Sequence, residues 1–213
     1  MPTFRDAQTG LWAQYNPLDL ATPEAFVEDP ALVWRWYRWR RELVAKAEPN
    51  PGHFALAKLA AMVPKLSLIT QNVDGLHQRA GSRNVIEFHG NLFANRCLSE
   101  NIAVSDPDDG SEVPRCSNCG GMLRPGVVWF GEAIAPQTLE AATAASADCD
   151  VFLSIGTSSV VWPAAGLAAA ASENGAVVIE INTDVTPQSR QSHFCLQGKS
   201  GEVLPELINC LTI

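Results

Sequence analysis

The chain is 213 residues long, 46% hydrophobic and 18% charged, enough to bury a core and better suited to one elaborated domain than to two independent ones. A formal net charge of -8 and a pI of about 4.9 argue against a general nucleic-acid-binding surface. No apolar run approaches the roughly 20 residues that span a bilayer, residues 1–20 lack the pattern of a signal peptide, and the six cysteines do not read as a disulfide framework, so an intracellular, reducing setting is expected.

Residues 11–50 read as a small helical module. Thr22-Pro23-Glu24 and Asp29-Pro30 are two helix starts, and the second leads into ALVWRWYRWRRELVAKA. On that helix Tyr37 and Arg40 stand at i and i+3, on one face. A phenol beside a guanidinium makes a carboxylate receptor, because arginine offers a planar fork of donors and tyrosine adds a hydroxyl. The spacing fits equally a tryptophan-rich packing helix whose Arg35, Arg38, Arg40 and Arg41 form a solvated basic face. Residues 51–64 read as an apolar-striped helix that packs on a sheet, with His53 as a capping or surface residue.

The stretch KLSLITQNVDGLHQRAGSRNVIEFHG, residues 65–90, organises the chain. Residues 66–70 form a short apolar run of buried-strand type that stops at Gln71, Asn72 and Asp74, and residues 85–88 stop in the same way at His89-Gly90. Open α/β sheets bind ligands beyond the carboxyl ends of their strands, which puts these polar groups where a polar ligand can be gripped. Taken singly, the pieces also fit an Asx turn and a structural histidine.

Residues 91–124 differ in character. Cys97 is followed by an acidic, glycine- and proline-containing loop and then by Cys116-Ser117-Asn118-Cys119-Gly120-Gly121. Two thiolates at C-x-x-C spacing before glycines form the turn of a zinc ribbon. Glu100 stands where a second cysteine would complete the first pair, and its carboxylate is offered as the fourth ligand beside Cys97, Cys116 and Cys119. A weakened site with reduced thiols is the alternative.

In LRPGVVWFGE, residues 123–132, Val127 and Val128 are expected to begin an apolar strand. The remainder alternates strand and helix. Strands are expected at 151–155, 176–181 and 194–196, and helices at 136–149, around 163–172 and at 201–211. Gly156-Thr157-Ser158 is a small-residue turn able to hold phosphate or ribose oxygens, and Asn182-Thr183-Asp184 is another polar cluster at a strand end. Cys149, Cys195 and Cys210 read as buried thiols in apolar contexts. The strands suggest a Rossmann-like, mostly parallel sheet with helices on both faces. Two insertions, about 11–50 and 92–124, are expected to form a smaller lobe from a helical module and a zinc-ribbon-like module.

TQNVDGLHQRAG followed by EFHG resembles the sirtuin family of NAD-dependent protein-lysine deacylases, and the resemblance runs from residue 2 to about 210. Met1-Pro2-Thr3-Phe4-Arg5 is similar to the tail of the motif GAGxSxxSGIPTFR, so residues 1–213 are expected to be one sirtuin catalytic domain without its glycine-rich loop. The resemblance implies NAD as cofactor, a structural zinc and acylated protein lysines as partners; the acidic charge and the lack of a long apolar run lead to the expectation of no nucleic acid and no membrane, and a monomer is expected. It assigns His89 as general base and Asn72 as its catalytic companion. NAD contacts are assigned to Phe4, Arg5, Gln71, Asn72, Val73, Asp74, Gly156, Thr157, Ser158, Asn182, Thr183, Asp184 and Ser200, with Lys199 beside the adenine. Val127, Phe130, Gly131 and Glu132 are implied to pair with the substrate backbone and line the acyl-lysine tunnel. The segment VWRWYRWRRE is similar to the class III branch, in which a Tyr-x-x-Arg pair reads the carboxylate of succinyl- or malonyl-lysine, and Tyr37 and Arg40 fall on those positions. Mitochondrion, cytoplasm and nucleus are not separated by the sequence. Two other classes stay open at this stage, a catalytically impaired relative that binds acyl-lysine partners and a zinc-ribbon interaction module on an α/β scaffold. A thiol hydrolase using Cys149 or Cys195 has little support, since neither sits at a strand-end polar cluster.

Overall fold

The computed structural model describes residues 16–105 and 109–211, which fall into two compact units. One comprises the described residues up to Ala47 with Asn72–Gly75 and His89–Ile134. The other comprises Glu48–Gln71, Leu76–Phe88 and the described residues from Ala135 onward.

In the first unit, three helices each begin with proline: α1 Pro17–Leu20, α2 Pro23–Glu28 and α3 Pro30–Ala45. Thr22 Oγ1 accepts from the Ala25 amide at 3.2 Å and Asp29 Oδ1 from the Leu32 amide at 2.8 Å, so both expected helix starts are capped. α3 buries Val33, Trp34, Trp36 and Tyr37, the stripe that a 3.6-residue period puts on one side. Phe26, Leu92, Leu123 and Trp129 share this core. The arginines of α3 are more than a solvated face. Arg41 donates to the carbonyls of Leu92 at 2.7 Å and Ala94 at 3.1 Å and to Asn95 Oδ1 at 2.9 Å, while Arg38 donates to the Ser111 carbonyl.

These contacts dock α3 on an antiparallel sheet of β3 Gly90–Cys97, β4 Ala103–Val104 and β5 Leu123–Val127, in the order β4-β3-β5. Val127 therefore ends a strand, where it was expected to begin one. The cause is the pairing, which runs from Cys97 opposite Leu123 back to Gly90 opposite Val127, with an irregularity between Gly90 and Asn95. Pro125, opposite Asn95, has no N–H to give to a regular ladder. Gly90 has φ +78°, and a Cβ built there would lie 2.2 Å from the Gly126 carbonyl oxygen. A Cβ on Gly126 would lie 2.7 Å from that of Ala94.

In the second unit, β1 Ile69–Thr70 pairs in parallel with β2 Ile86–Glu87, and β6 Val151–Ile155, β7 Val177–Asn182 and β8 Phe194–Gln197 form a parallel ladder in that order. The strands expected over 66–70 and 85–88 shrink to two residues each. Parallel hydrogen bonds from the Ile86 amide to the Leu68 carbonyl at 2.8 Å and from the Phe88 amide to the Thr70 carbonyl at 2.9 Å bracket this short pairing. The helices are α4 Pro51–Leu59, α5 Leu76–Arg79, α6 Pro136–Ala147, α7 Leu167–Glu173 and α8 Ser200–Cys210. His53 caps α4 as expected: its Nδ1 accepts from the Asn50 amide, and Asn50 Oδ1 accepts from the amides of Gly52 and His53. Gly52 lets α4 approach α8, since a Cβ there would sit 2.9 Å from the Ser200 carbonyl oxygen. Ala55, Leu59, Ile181, Leu204 and Ile208 form the core of this contact.

The cysteine expectation needs correction. Cys149 is half-buried, and Cys195 and Cys210 are exposed, because β8 is the edge of its ladder and Cys210 ends α8. Among the described residues no helix is long and apolar enough to cross a membrane.

Gly90→Ala should lower the unfolding free energy by about 3 kcal/mol, from backbone strain plus a backbone clash that only strand separation relieves. Urea unfolding measures it, and an unchanged midpoint contradicts the close approach of β3 and β5.

Candidate functional site

The first unit brings His89 and Asn72 together with the end of β5. The Val73 carbonyl accepts from the Leu92 amide at 2.8 Å, and the His89 carbonyl accepts from the Val128 amide at 2.8 Å. Residues 72–75, 89–92 and 127–132 are thereby laced into one region. Asn72 is exposed, Val73 and His89 are half-buried, and Asp74 is buried. Gly75, at φ +69°, turns the chain directly after them. His89 thereby offers a half-buried imidazole on a backbone tied to the residues after β5, the kind of group that proton transfer uses.

The turn after β5 divides its side chains between two tasks. Val127 is buried, whereas Phe130 is 47% exposed and Gly131, at φ +84°, has open space around it. The Phe130 amide donates to the Ala21 carbonyl at 2.9 Å, which anchors the turn to the helical module. Glu132 faces inward. Its Oε2 accepts from Arg124 Nη2 at 2.8 Å and from the Trp129 amide at 2.8 Å, and Arg124 Nη1 donates to Oε1. Burial opposes ionisation of Glu132, but Arg124 and the Trp129 amide outweigh it and hold the carboxyl below its usual range. Arg124 and Trp129 carried no signal in the sequence reading, and the turn depends on both.

Tyr37 and Arg40 do share a face of α3. Tyr37 is 1% exposed and its oxygen accepts from Trp129 Nε1 at 2.9 Å. The Arg40 guanidinium lies over the rings of Trp36 and Tyr37, at 4.8 and 5.3 Å from their centroids. Burial lowers the Arg40 pKa, and Tyr37 partly offsets this.

The second unit gathers polar groups at the carboxyl ends of parallel strands. Gly156, at φ +59° with open space around it, follows β6, and its amide donates to the Ile181 carbonyl at 2.9 Å. Gln71 Nε2 donates to Thr157 Oγ1 at 3.2 Å, and Asn182 Nδ2 donates to the Thr157 carbonyl at 2.8 Å. Thr183 donates to Asp184 at 2.8 Å, Ser158 follows Thr157 in the same turn, and Ser200 opens α8. An open glycine turn, amides, hydroxyls and a carboxylate at one sheet end fit the ribose and phosphate oxygens of a dinucleotide. Phe4 and Arg5 lie outside the described residues.

Glu180 was not read from the sequence either. It is 2% exposed on β7, and its two oxygens accept from Thr186 Oγ1 and Ser189 Oγ, both at 2.5 Å. Those hydroxyls themselves accept from the amides of Gln188 and Thr186. One carboxylate therefore fixes the turn that follows Asn182-Thr183-Asp184.

Cys97, Glu100, Cys116 and Cys119 each offer a ligand atom, and these atoms lie within 4.8 Å of one another. Cys97 ends β3. Cys116 and Cys119 flank a tight turn in which the Gly120 amide donates to the Cys116 carbonyl at 2.8 Å. The Glu100 amide points at Cys97 Sγ at 3.5 Å and holds that thiol below its ordinary range. The Gly121 amide favours the Cys119 thiolate, but the nearby Cys97 and Cys116 sulfurs prevail and push Cys119 up to about 11. Three sulfurs this close favour a cation to neutralise them, and the set fits a tetrahedral structural zinc. Asn118 Nδ2 donates to Glu100 Oε1 at 2.8 Å, which leaves Oε2 toward the sulfurs.

Residues 1–163 match the Sir2 family. NAD-dependent protein deacylase 1 of Pseudomonas aeruginosa is 50% identical over 217 residues, covering 98% of this chain and 87% of that protein. The NAD-dependent protein deacylase of Aquifex aeolicus is 50% identical over 207 residues, covering 94% and 85%. Among solved structures, a Sir2 homolog in complex with NAD has a TM-score of 0.89 at 47% identity, covering 95% of this chain and 80% of that one. Sir2Tm bound to a propionylated peptide has a TM-score of 0.83 at 29% identity, covering 94% and 86%. The chain belongs to the Sir2 family, the sirtuins.

Two outcomes check the buried groups. Glu180→Ala should cost about 2 kcal/mol in unfolding free energy, because it leaves two hydroxyls without their acceptor. Purified protein should carry one zinc per chain by metal analysis, and Cys116→Ser should lose it.

Proposed function

We propose that this chain is an NAD-dependent protein-lysine deacylase that releases nicotinamide and O-acyl-ADP-ribose and prefers acidic acyl groups of the succinyl, malonyl and glutaryl class. The carrying observation is the lacing of His89, the Asn72 segment and the end of β5 within one unit. The relatives named NAD-dependent protein deacylase support the reaction.

When bound, NAD supplies an electrophilic ribose carbon with nicotinamide as leaving group. The chain's own residues do the rest. His89 acts as general base, since a neutral imidazole can take a ribose hydroxyl proton near neutral pH. Asn72 orients the ribose or a water through its amide, and Val73 and Asp74 shape the loop that carries it. Gln71, Gly156, Thr157 and Ser158 hold ribose and phosphate oxygens. Asn182, Thr183, Asp184 and Ser200 hold the adenosine side. Val127, Phe130 and Gly131 receive the substrate by main-chain pairing, which tolerates many protein sequences because the backbone supplies the hydrogen bonds. Glu132 takes part by fixing the turn through Arg124.

Acyl selection falls to Tyr37 and Arg40. An acidic acyl group gains a charge-assisted hydrogen bond at such a pair that acetyl has no group to make. The aromatic rings around Arg40 strengthen this preference, because they exclude the water that would otherwise solvate it.

His89→Ala should lower kcat by about a thousandfold, the scale of general base catalysis, and substantial residual turnover sinks the assignment. Arg40→Met should cut desuccinylation about thirtyfold more than deacetylation, the worth of a charged hydrogen bond. Peptides differing only in acyl group measure this, and equal losses remove Arg40 as selector. Asp184→Ala should raise KM for NAD about tenfold while kcat holds within about twofold, as loss of one such bond predicts.

A further inference from the structure

Trp129 joins the acyl-reading pair to the turn after β5. Its indole Nε1–H donates to the Tyr37 oxygen at 2.9 Å, and both side chains are buried. Its backbone amide donates to Glu132 at 2.8 Å, the Arg124 guanidinium lies 3.5 Å from its ring centroid, and the Phe26 ring packs at 5.3 Å. The ring cannot turn without abandoning buried partners, so the N–H has a fixed direction.

An indole N–H can only donate. The Tyr37 oxygen therefore receives a hydrogen bond from Trp129, and its own proton has to go elsewhere. Arg40 cannot take it, because a guanidinium has no acceptor. Burial pushes the Tyr37 phenol up to about 12, so it stays protonated and remains a donor at working pH.

We propose that Trp129 is a positioning residue for acyl-group selection: its N–H on the Tyr37 oxygen turns the phenol proton toward the carboxylate of an acidic acyl group, whose charge Arg40 balances. This rests on the acyl-selecting role given above to Tyr37 and Arg40. The indole pre-pays the orientation of the hydroxyl, so no rotor has to be frozen when the carboxylate arrives. An acetyl group offers no acceptor for that proton and gains nothing from the arrangement.

Trp129→Phe keeps an aromatic ring and removes the donor. With succinyl- and acetyl-lysine forms of one peptide, the succinyl-to-acetyl ratio of kcat/KM should fall about tenfold, carried by KM for the succinyl peptide. In a Tyr37→Phe background the same substitution should cause no further fall, because the two residues act through one bond. If Trp129→Phe does not fold, benzothienylalanine at position 129 removes the N–H with the ring shape intact and is read in the same way. Equal losses on both peptides, or an unchanged ratio while Tyr37→Phe lowers it, overturn the role of Trp129 and leave the acyl reading standing. An unchanged ratio in both Tyr37→Phe and Arg40→Met overturns the acyl reading and this inference with it.

Discussion

The backbone contact between β3 and β5 at Gly90 and Gly126 is the constraint on which the unit that carries His89 depends. Gly90 follows His89 and opens β3, whose last residue is Cys97, one of the four residues able to hold a metal. β5 starts just beyond the Cys116–Cys119 turn and ends at Val127. The cysteine cluster therefore sits at one end of a strand pair, and His89 stands at the other. A metal bound there would hold the two strands in register, and two missing side chains let their backbones touch beside His89.

Buried charge is used twice in the same way. Arg124 and Glu132 lie under the turn that follows β5, and Glu180 lies under the turn that follows β7. Glu180 collects donors from the loop beyond its strand, while Glu132, in the loop itself, takes them from Arg124 on β5 and from the Trp129 amide, so each segment acquires one geometry. Removing charges from water costs several kcal/mol per ion, and such groups persist only where nearly every oxygen is satisfied. Glu132 meets that condition with Arg124 and the Trp129 amide, Glu180 with two hydroxyls that are themselves fixed by backbone amides. The two loops so fixed follow β5 and β7 directly.

Much of the fold was legible because it is written locally. The caps Thr22 and Asp29, the strand 151–155 and the C-x-x-C turn follow from adjacent residues and short periods, and all three stand in the structure. The strand-end clusters at Gln71 to Asp74, Gly156 to Ser158 and Asn182 to Asp184 were legible for the same reason: an apolar run that stops at polar residues marks the end of a buried strand. Errors fell where the partner strand decides. Val127 reads as a beginning because apolar residues follow Gly126, yet the pairing with β3 makes it an end. Cys195 reads as buried because its neighbours are apolar, yet its strand lies at the edge of the ladder.

The sequence by itself determined the helix caps, the C-x-x-C turn, the polar clusters at strand ends and the family to which the chain belongs, since these depend on spacing along one segment. Only the tertiary structure decided what holds those residues in place. Trp129 lies 92 positions from Tyr37 and Trp34 lies 89 from Leu123, and no periodicity announces a hydrogen bond across such a separation. Those contacts exist because burial leaves an indole N–H with no water to donate to, and the fold must provide an acceptor from whatever part of the chain it brings near.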